Sequence, residues 1–115
     1  MATTLYRIVA TNPPTLEDFK SHLELGKVPR SGDAQAERLA SGISAFQTVA
    51  QARRAARRFP MLGGFIAELM IPEELTMPEG RLIIRRTGHQ QGHLTIWNSQ
   101  PDVLMGTMTA VRSVG

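Results

Sequence analysis

The sequence contains no cysteine. That absence excludes disulfides, thiolate zinc sites, iron–sulfur clusters and cysteine nucleophiles. Aromatic residues are scarce, with one Trp, one Tyr and four Phe making 5% of the chain, so the core has to be mostly aliphatic, alanine and methionine. Lysine is nearly absent too. Eleven of the thirteen basic residues are arginine, against ten acidic ones, which gives a net charge of +3 and an isoelectric point near 10.2. No apolar run approaches the roughly 20 residues of a membrane-spanning helix. Residues 1–4 hold no basic stretch leading into an apolar segment, so no secretory signal is expected. With no cysteine either, the reading is a cytoplasmic protein. The GxxxxGK, GxGxxG, GxSxG and HExxH motifs are all missing.

What is present is enough for one domain over residues 1–115. A chain of this size buries about two-thirds of its unfolded surface and needs no metal or disulfide to fold. The hydrophobic fraction of 42% and charged fraction of 20% belong to a folded chain.

Leu5 to Ala10 reads as a strand that stops at the turn Asn12-Pro13-Pro14. Thr15 with Asp18 forms a capping-box pattern, and Leu16, Phe19 and Leu23 follow at helical spacing, predicting a helix near residues 15–25 that ends at Gly26. Lys27 to Asp33 reads as a loop, Ala34 to Ala40 as a short helix and Ile43 to Gln47 as a short strand. Thr48 with Gln51 repeats the capping pattern and opens the clearest helix, Val49 to Phe59. On a helical wheel Val49, Ala52, Ala55, Ala56 and Phe59 fill one arc, while Arg53, Arg54, Arg57 and Arg58 fill the other. Gly64 to Ile71 reads as a strand closed by Pro72, and Glu73 to Gly80 as a loop. Arg81 to Thr87, His93 to Asn98 and Met105 to Val114 read as three more strands. The five-residue loop Gly88 to Gly92 makes the first two an antiparallel hairpin. Ser99 to Leu104 has room for one helical turn. The strand-rich second half places the chain in the α+β class, with about six strands in a split or two-sheet arrangement and two to three helices.

Four features bear on chemistry. The four arginines make a basic helix face suited to phosphates of a nucleic acid or dinucleotide, or to an acidic partner protein; the competing reading is a solvated face opposite an alanine-rich core. His89 and His93 are the only neighbouring histidines, and without a third ligand they read as part of a polar hairpin, not a metal site. Ser44 has no histidine near it in sequence, which argues against a Ser–His–Asp triad. Arg7 shares a strand face with Leu5 and Val9, so its guanidinium has to snorkel, pair with a carboxylate or await an anion. Glu68, between Ile66 and Met70 on its own strand face, is the best internal partner. Met61, Met70, Met77, Met105 and Met108 read as core filling.

Taken together, Tyr6-Arg7-Ile8-Val9, the glycine-led strand Gly42-Ile43-Ser44-Ala45-Phe46-Gln47-Thr48 that runs into an alanine-rich helix, and Phe65-Ile66-Ala67-Glu68-Leu69-Met70-Ile71-Pro72 resemble small bacterial proteins of the ADP-ribosyltransferase fold. The resemblance covers nearly the whole chain on short motifs. It implies that the chain binds NAD or a related nucleotide. Arg7 matches the family's NAD-orienting arginine and Ser44 its ribose-contacting serine, with Thr48 as a companion. Glu68 falls earlier in the chain than the family's catalytic glutamate, and the last three strands hold no Asp or Glu. Transfer of ADP-ribose, or hydrolysis of NAD, therefore needs Glu68 or a histidine to stand in, with His93 and Trp97 lining a changed pocket. The reading expects Arg7 and Ser44 to line one cleft. The alternative is a non-catalytic module that contacts nucleic acid or an acidic protein through its basic helix.

Overall fold

The computed structural model describes residues 2–27, 34–76, 82–88 and 90–115. Among the described residues the apolar and β-branched runs become six strands: β1 (Thr3–Val9), β2 (Ile43–Phe46), β3 (Phe65–Ile71), β4 (Ile83–Arg86), β5 (His93–Trp97) and β6 (Met108–Ser113). Between them, again among the described residues, run three α-helices, α1 (Ala34–Ala40), α2 (Val49–Arg58) and α3 (Pro101–Gly106). The class is α+β. The expectation of a split or two-sheet arrangement is corrected, because all six strands join one open sheet in the order β4-β5-β2-β1-β3-β6. Every neighbouring pair is antiparallel. The cause lies in β1, which takes a partner on each edge. It pairs with β3 from Thr3↔Ile71 to Val9↔Phe65, and with β2 at Tyr6↔Phe46. The halves β4-β5-β2 and β1-β3-β6 thus meet at a seam one residue pair wide.

Successive side chains along a strand point to opposite sides of the sheet. Leu5, Val9, Ile43, Ala45, Ala67, Leu69, Leu94 and Ile96 share one side and build the larger core with Phe19 and Leu104. Phe19 belongs to a 3-10 turn, Leu16–Phe19, and Leu104 to α3, so these two short elements cover that side. Burying a side chain the size of Phe19 contributes about 1.5–3 kcal/mol. Ile8, Phe46 and Ile66 share the other side and pack beneath Ala52, Ala55 and Ala56 of α2.

The start of α2 follows from Thr48 and Gln51. The Gln51 N–H donates to Thr48 Oγ1 and the Thr48 N–H donates to Gln51 Oε1, each at 3.1 Å, which satisfies donors that a helix start leaves open. Three small alanines let the helix sit close to the sheet. Phe59, expected in the buried arc, is 36% exposed, because it caps the helix with φ −127° and ψ 74° and leaves the helical path.

Residues 15–25 do not form the expected helix. Asp18 Oδ2 does accept the Thr15 N–H at 3.0 Å, the acidic half of the predicted box. Lys20 is then extended, at φ −91° and ψ 144°. Beyond it Ser21 and Glu24 bind each other's main chain, at 2.9 and 3.2 Å, and start a separate turn. Leu16 and Leu23 remain exposed and only Phe19 goes into the core. At the other end of the chain Met105 and Gly106 belong to α3, so β6 begins only at Met108. Met105 and Met108 pack on the core, whereas Met61 and Met70 are exposed. β4 and β5 form the expected antiparallel hairpin. His89, Met77, Arg81 and most of the 27–33 loop, all given a reading above, lie outside the described residues. Among the described residues no helix is long and apolar enough to cross a membrane.

Candidate functional site

Ser44 and His93 come together on the α2 side of the sheet. Across the β2–β5 ladder Ser44 faces Thr95 and Phe46 faces His93, so the imidazole reaches diagonally to its neighbour. Ser44 Oγ lies 3.0 Å from His93 Nε2. His93 Nδ1 lies 2.9 Å from the Thr87 carbonyl oxygen and 3.1 Å from Thr87 Oγ1. A carbonyl only accepts, so in the neutral ring the proton sits on Nδ1 and Nε2 accepts from the serine hydroxyl. Thr87 Oγ1 is hydrogen-bonded in turn to Thr95 Oγ1. The ring also meets Phe46 edge-on, 5.3 Å between centroids. Among the expected site residues, then, Ser44 and His93 do meet, through a register contact that links residues 49 apart.

A groove of about 520 Å³ is lined by His93 but not by Ser44. Gln51, Arg54, Ala55, Arg58 and Phe59 line it from α2, Phe46 from β2, and Gly88, Gln90, Gln91 and His93 from the β4–β5 hairpin. Phe46, Ala55 and Phe59 supply apolar surface. Arg54 and Arg58, four residues and one helical turn apart, supply cationic edges. The arginine face is therefore divided, because Arg53 and Arg57 do not line the groove. Arg53 is half-buried and the other three are exposed. Among the described residues none of the four is paired with a carboxylate. The contribution of Gln51, Gln90 and Gln91 was missed in the sequence, since a Gln-Gln pair in a hairpin reads only as polar turn.

Arg7 does not share this site. Its side chain is on the opposite side of the sheet, with Leu5 and Val9, beneath the 3-10 turn. Nε donates to the Asp18 carbonyl at 2.7 Å and Nη1 to the Ser44 carbonyl at 2.7 Å. Burial pulls the guanidinium down to about 10, against the opposing attraction of the Asp18 carboxylate, so it remains charged at neutral pH. Arg7 touches the Ser44 main chain, while the Ser44 hydroxyl leaves toward α2. The common cleft expected for the two side chains is not formed, because Arg7 lies opposite Ala67 on β3 and takes the alternate side. Nor does Arg7 pair with Glu68, which lies opposite Tyr6. Glu68 Oε2 accepts from Thr109 Oγ1 at 2.7 Å and Oε1 from Arg112 Nη2 at 3.2 Å.

Thr48 is occupied as the α2 cap. Trp97 is buried, donates from Nε1 to the Arg38 carbonyl at 2.7 Å and lies beneath the Arg38 guanidinium at 4.7 Å. It fastens α1 to β5 and does not line the groove. Among the described residues no cluster of three or more His, Asp or Glu forms a metal site. Comparison of the chain with protein-family models, with curated proteins and with solved structures finds no match.

Proposed function

We propose that the groove between α2 and the β4–β5 hairpin binds a nucleotide, with NAD the member of that class implied by the resemblance to the ADP-ribosyltransferase fold. The observation that carries the reading is the pairing of Arg54 and Arg58 with Phe46 and Phe59 in one concavity of about 520 Å³. Guanidinium forks match phosphate oxygens in two-point geometry. An aromatic and alanine floor suits a flat heterocycle, and the carboxamides of Gln51, Gln90 and Gln91 can pair with the edges of a base or a ribose. The groove lies in the size range of small-molecule sites, about 300–1,000 Å³. The role moves from Arg7 and Ser44 to the helix arginines and His93. Glu68, held by Thr109 and Arg112, does not line the groove, so the proposal is binding without transfer or hydrolysis.

Calorimetric titration of the full chain with NAD, AMP and ATP tests this. Saturable heat is expected for at least one of them, lost in the Arg54→Ala/Arg58→Ala double variant. No heat from any of the three at millimolar concentration overturns the proposal.

The second reading, a nucleic-acid or acidic-protein module, is favoured by the exposed guanidinium of Arg57, which pairs with no carboxylate among the described residues and lies on the helix flank outside the groove. In that case a single-stranded oligonucleotide binds with a steep salt dependence, and Arg57 matters as much as Arg54.

A further inference from the structure

We propose that Ser44 is an activated nucleophile with His93 as its general base, and that it takes up acyl groups from activated esters or thioesters. This does not depend on what occupies the groove. The signature of such a pair is a hydroxyl within hydrogen-bond reach of a base that a third group orients. All three parts are present. Ser44 is exposed, its Oγ is 3.0 Å from His93 Nε2, and His93 Nδ1 is 2.9 Å from the Thr87 carbonyl. The carbonyl does what the tautomer requires. It holds the ring proton on Nδ1 and leaves the Nε2 lone pair on the serine proton. The ring is fixed further by Thr87 Oγ1 and by the edge-on contact with Phe46. Thr87 Oγ1 is itself held by Thr95, a buried residue, so the orienting strand end is anchored in the sheet.

The step balances within the pair and the donor. Ser44 Oγ forms a bond to the acyl carbon while its proton passes to His93 Nε2. The bond from that carbon to the leaving oxygen or sulfur breaks, and the leaving group takes the proton from Nε2. O-acyl-Ser44 and a free phenol, alcohol or thiol result. Water attacking the same carbon, with its proton passing to Nε2 and then to the departing Ser44 oxygen, returns the enzyme and a carboxylic acid. A neutral carbonyl behind the imidazole stabilises imidazolium less than a carboxylate does. That restricts the donors to those with good leaving groups, such as phenyl esters and thioesters, and leaves ordinary amides out.

The full chain treated with p-nitrophenyl acetate, followed by peptide mapping, tests the assignment. Ser113, exposed on β6, is the internal reference. Acetylation of Ser44 is expected to run about a hundredfold faster than that of Ser113, the lower range of a positioned general base. In His93→Gln, which retains a hydrogen-bonding side chain but no base of that strength, Ser44 should fall to the Ser113 rate while circular dichroism stays unchanged. Equal rates at Ser44 and Ser113 in the unmodified protein overturn the proposal without recourse to any variant. A folded His93→Gln protein that labels at the original rate overturns it as well.

Discussion

Arg7 and Ser44 meet through the main chain, with Arg7 Nη1 2.7 Å from the Ser44 carbonyl oxygen while the Ser44 hydroxyl points to the other side of the sheet. The contact closes the seam between the sheet's two halves. β1 and β2 pair at Tyr6↔Phe46, and the guanidinium spans from the turn carbonyl of Asp18 to the strand carbonyl of Ser44 just beyond that pair. Arg7→Met should therefore cost stability, about 2–3 kcal/mol, because it removes charged hydrogen bonds from two carbonyls. Urea denaturation at pH 6 and pH 9 checks this and should give the same loss at both. The folded value of about 10 lies below the unfolded one, so folding favours the neutral form and linkage makes stability rise with pH only above about 10. Below that pH Arg7 is charged in both states and adds no slope. Arg7→Lys should recover part of the loss, since an ammonium cannot span both carbonyls as the planar fork does.

Gly88 and Gly92 have the same backbone need and different neighbours. Their φ values are +73° and +76°, where an L-residue costs about 1–2 kcal/mol. A Cβ on Gly88 would lie 3.3 Å from His93 Nδ1, whereas on Gly92 it would overlap Gln51 Oε1. That oxygen accepts the Thr48 N–H at the start of α2. Gly92→Ala should thus cost about 1 kcal/mol more than Gly88→Ala, the worth of a helix cap. In a Gln51→Ala background that excess should vanish, a coupling that denaturant midpoints of the four variants resolve.

The α2 box at Thr48 and Gln51 was legible because its partners are three residues apart. The strand faces of Leu5, Val9 and Ile66 were legible because period-2 alternation is local. The helix over 15–25 was misread because the competing bonds of Ser21 and Glu24 give no different spacing signal. The sheet was misread because nothing in β1 itself says that it pairs on both edges. The Ser44–His93 contact depends on the β2–β5 register across 49 residues, and its orienting group is a carbonyl, which no side-chain motif records. Arg7 was recognised as anomalous on its strand, yet its partners are also main-chain carbonyls, again invisible to a search for carboxylates.

Trp97 joins α1 to the sheet through a bond from its ring nitrogen to the Arg38 carbonyl at 2.7 Å and a stacked guanidinium at 4.7 Å. Trp97→Phe keeps an aromatic ring and removes the donor. The loss should be about 1–2 kcal/mol in thermal unfolding, from one buried hydrogen bond and a smaller ring. Amide exchange should locate the effect, with protection falling across Ala34–Ala40 and little changed across Val49–Arg58. Equal loss in both helices would mean that Trp97 supports the whole sheet and not the α1 contact.

The helix arginines give the sharpest functional contrast, because one helix carries both members of the comparison. Arg54 and Arg58 line the groove and Arg53 and Arg57 do not. Four single Arg→Ala variants share nearly the same helix propensity change and the same loss of one charge, so differences in overall field cancel among them. If a nucleotide sits in the groove, Arg54→Ala and Arg58→Ala should each weaken NAD or AMP binding about tenfold or more, the worth of a charged hydrogen bond to phosphate. Arg53→Ala and Arg57→Ala should change it by less than about threefold, as expected for screened charges with no direct contact. Raising the salt concentration should weaken nucleotide binding modestly, with the ranking of the four variants retained. An oligonucleotide lying along the whole helix demands another pattern. Arg54, Arg57 and Arg58 would then contribute comparably, each removal lowering the slope of log affinity against log salt by about one. Calorimetry on the four variants at two salt concentrations separates these outcomes, and comparable losses at Arg54 and Arg57 for NAD would remove the groove as the site.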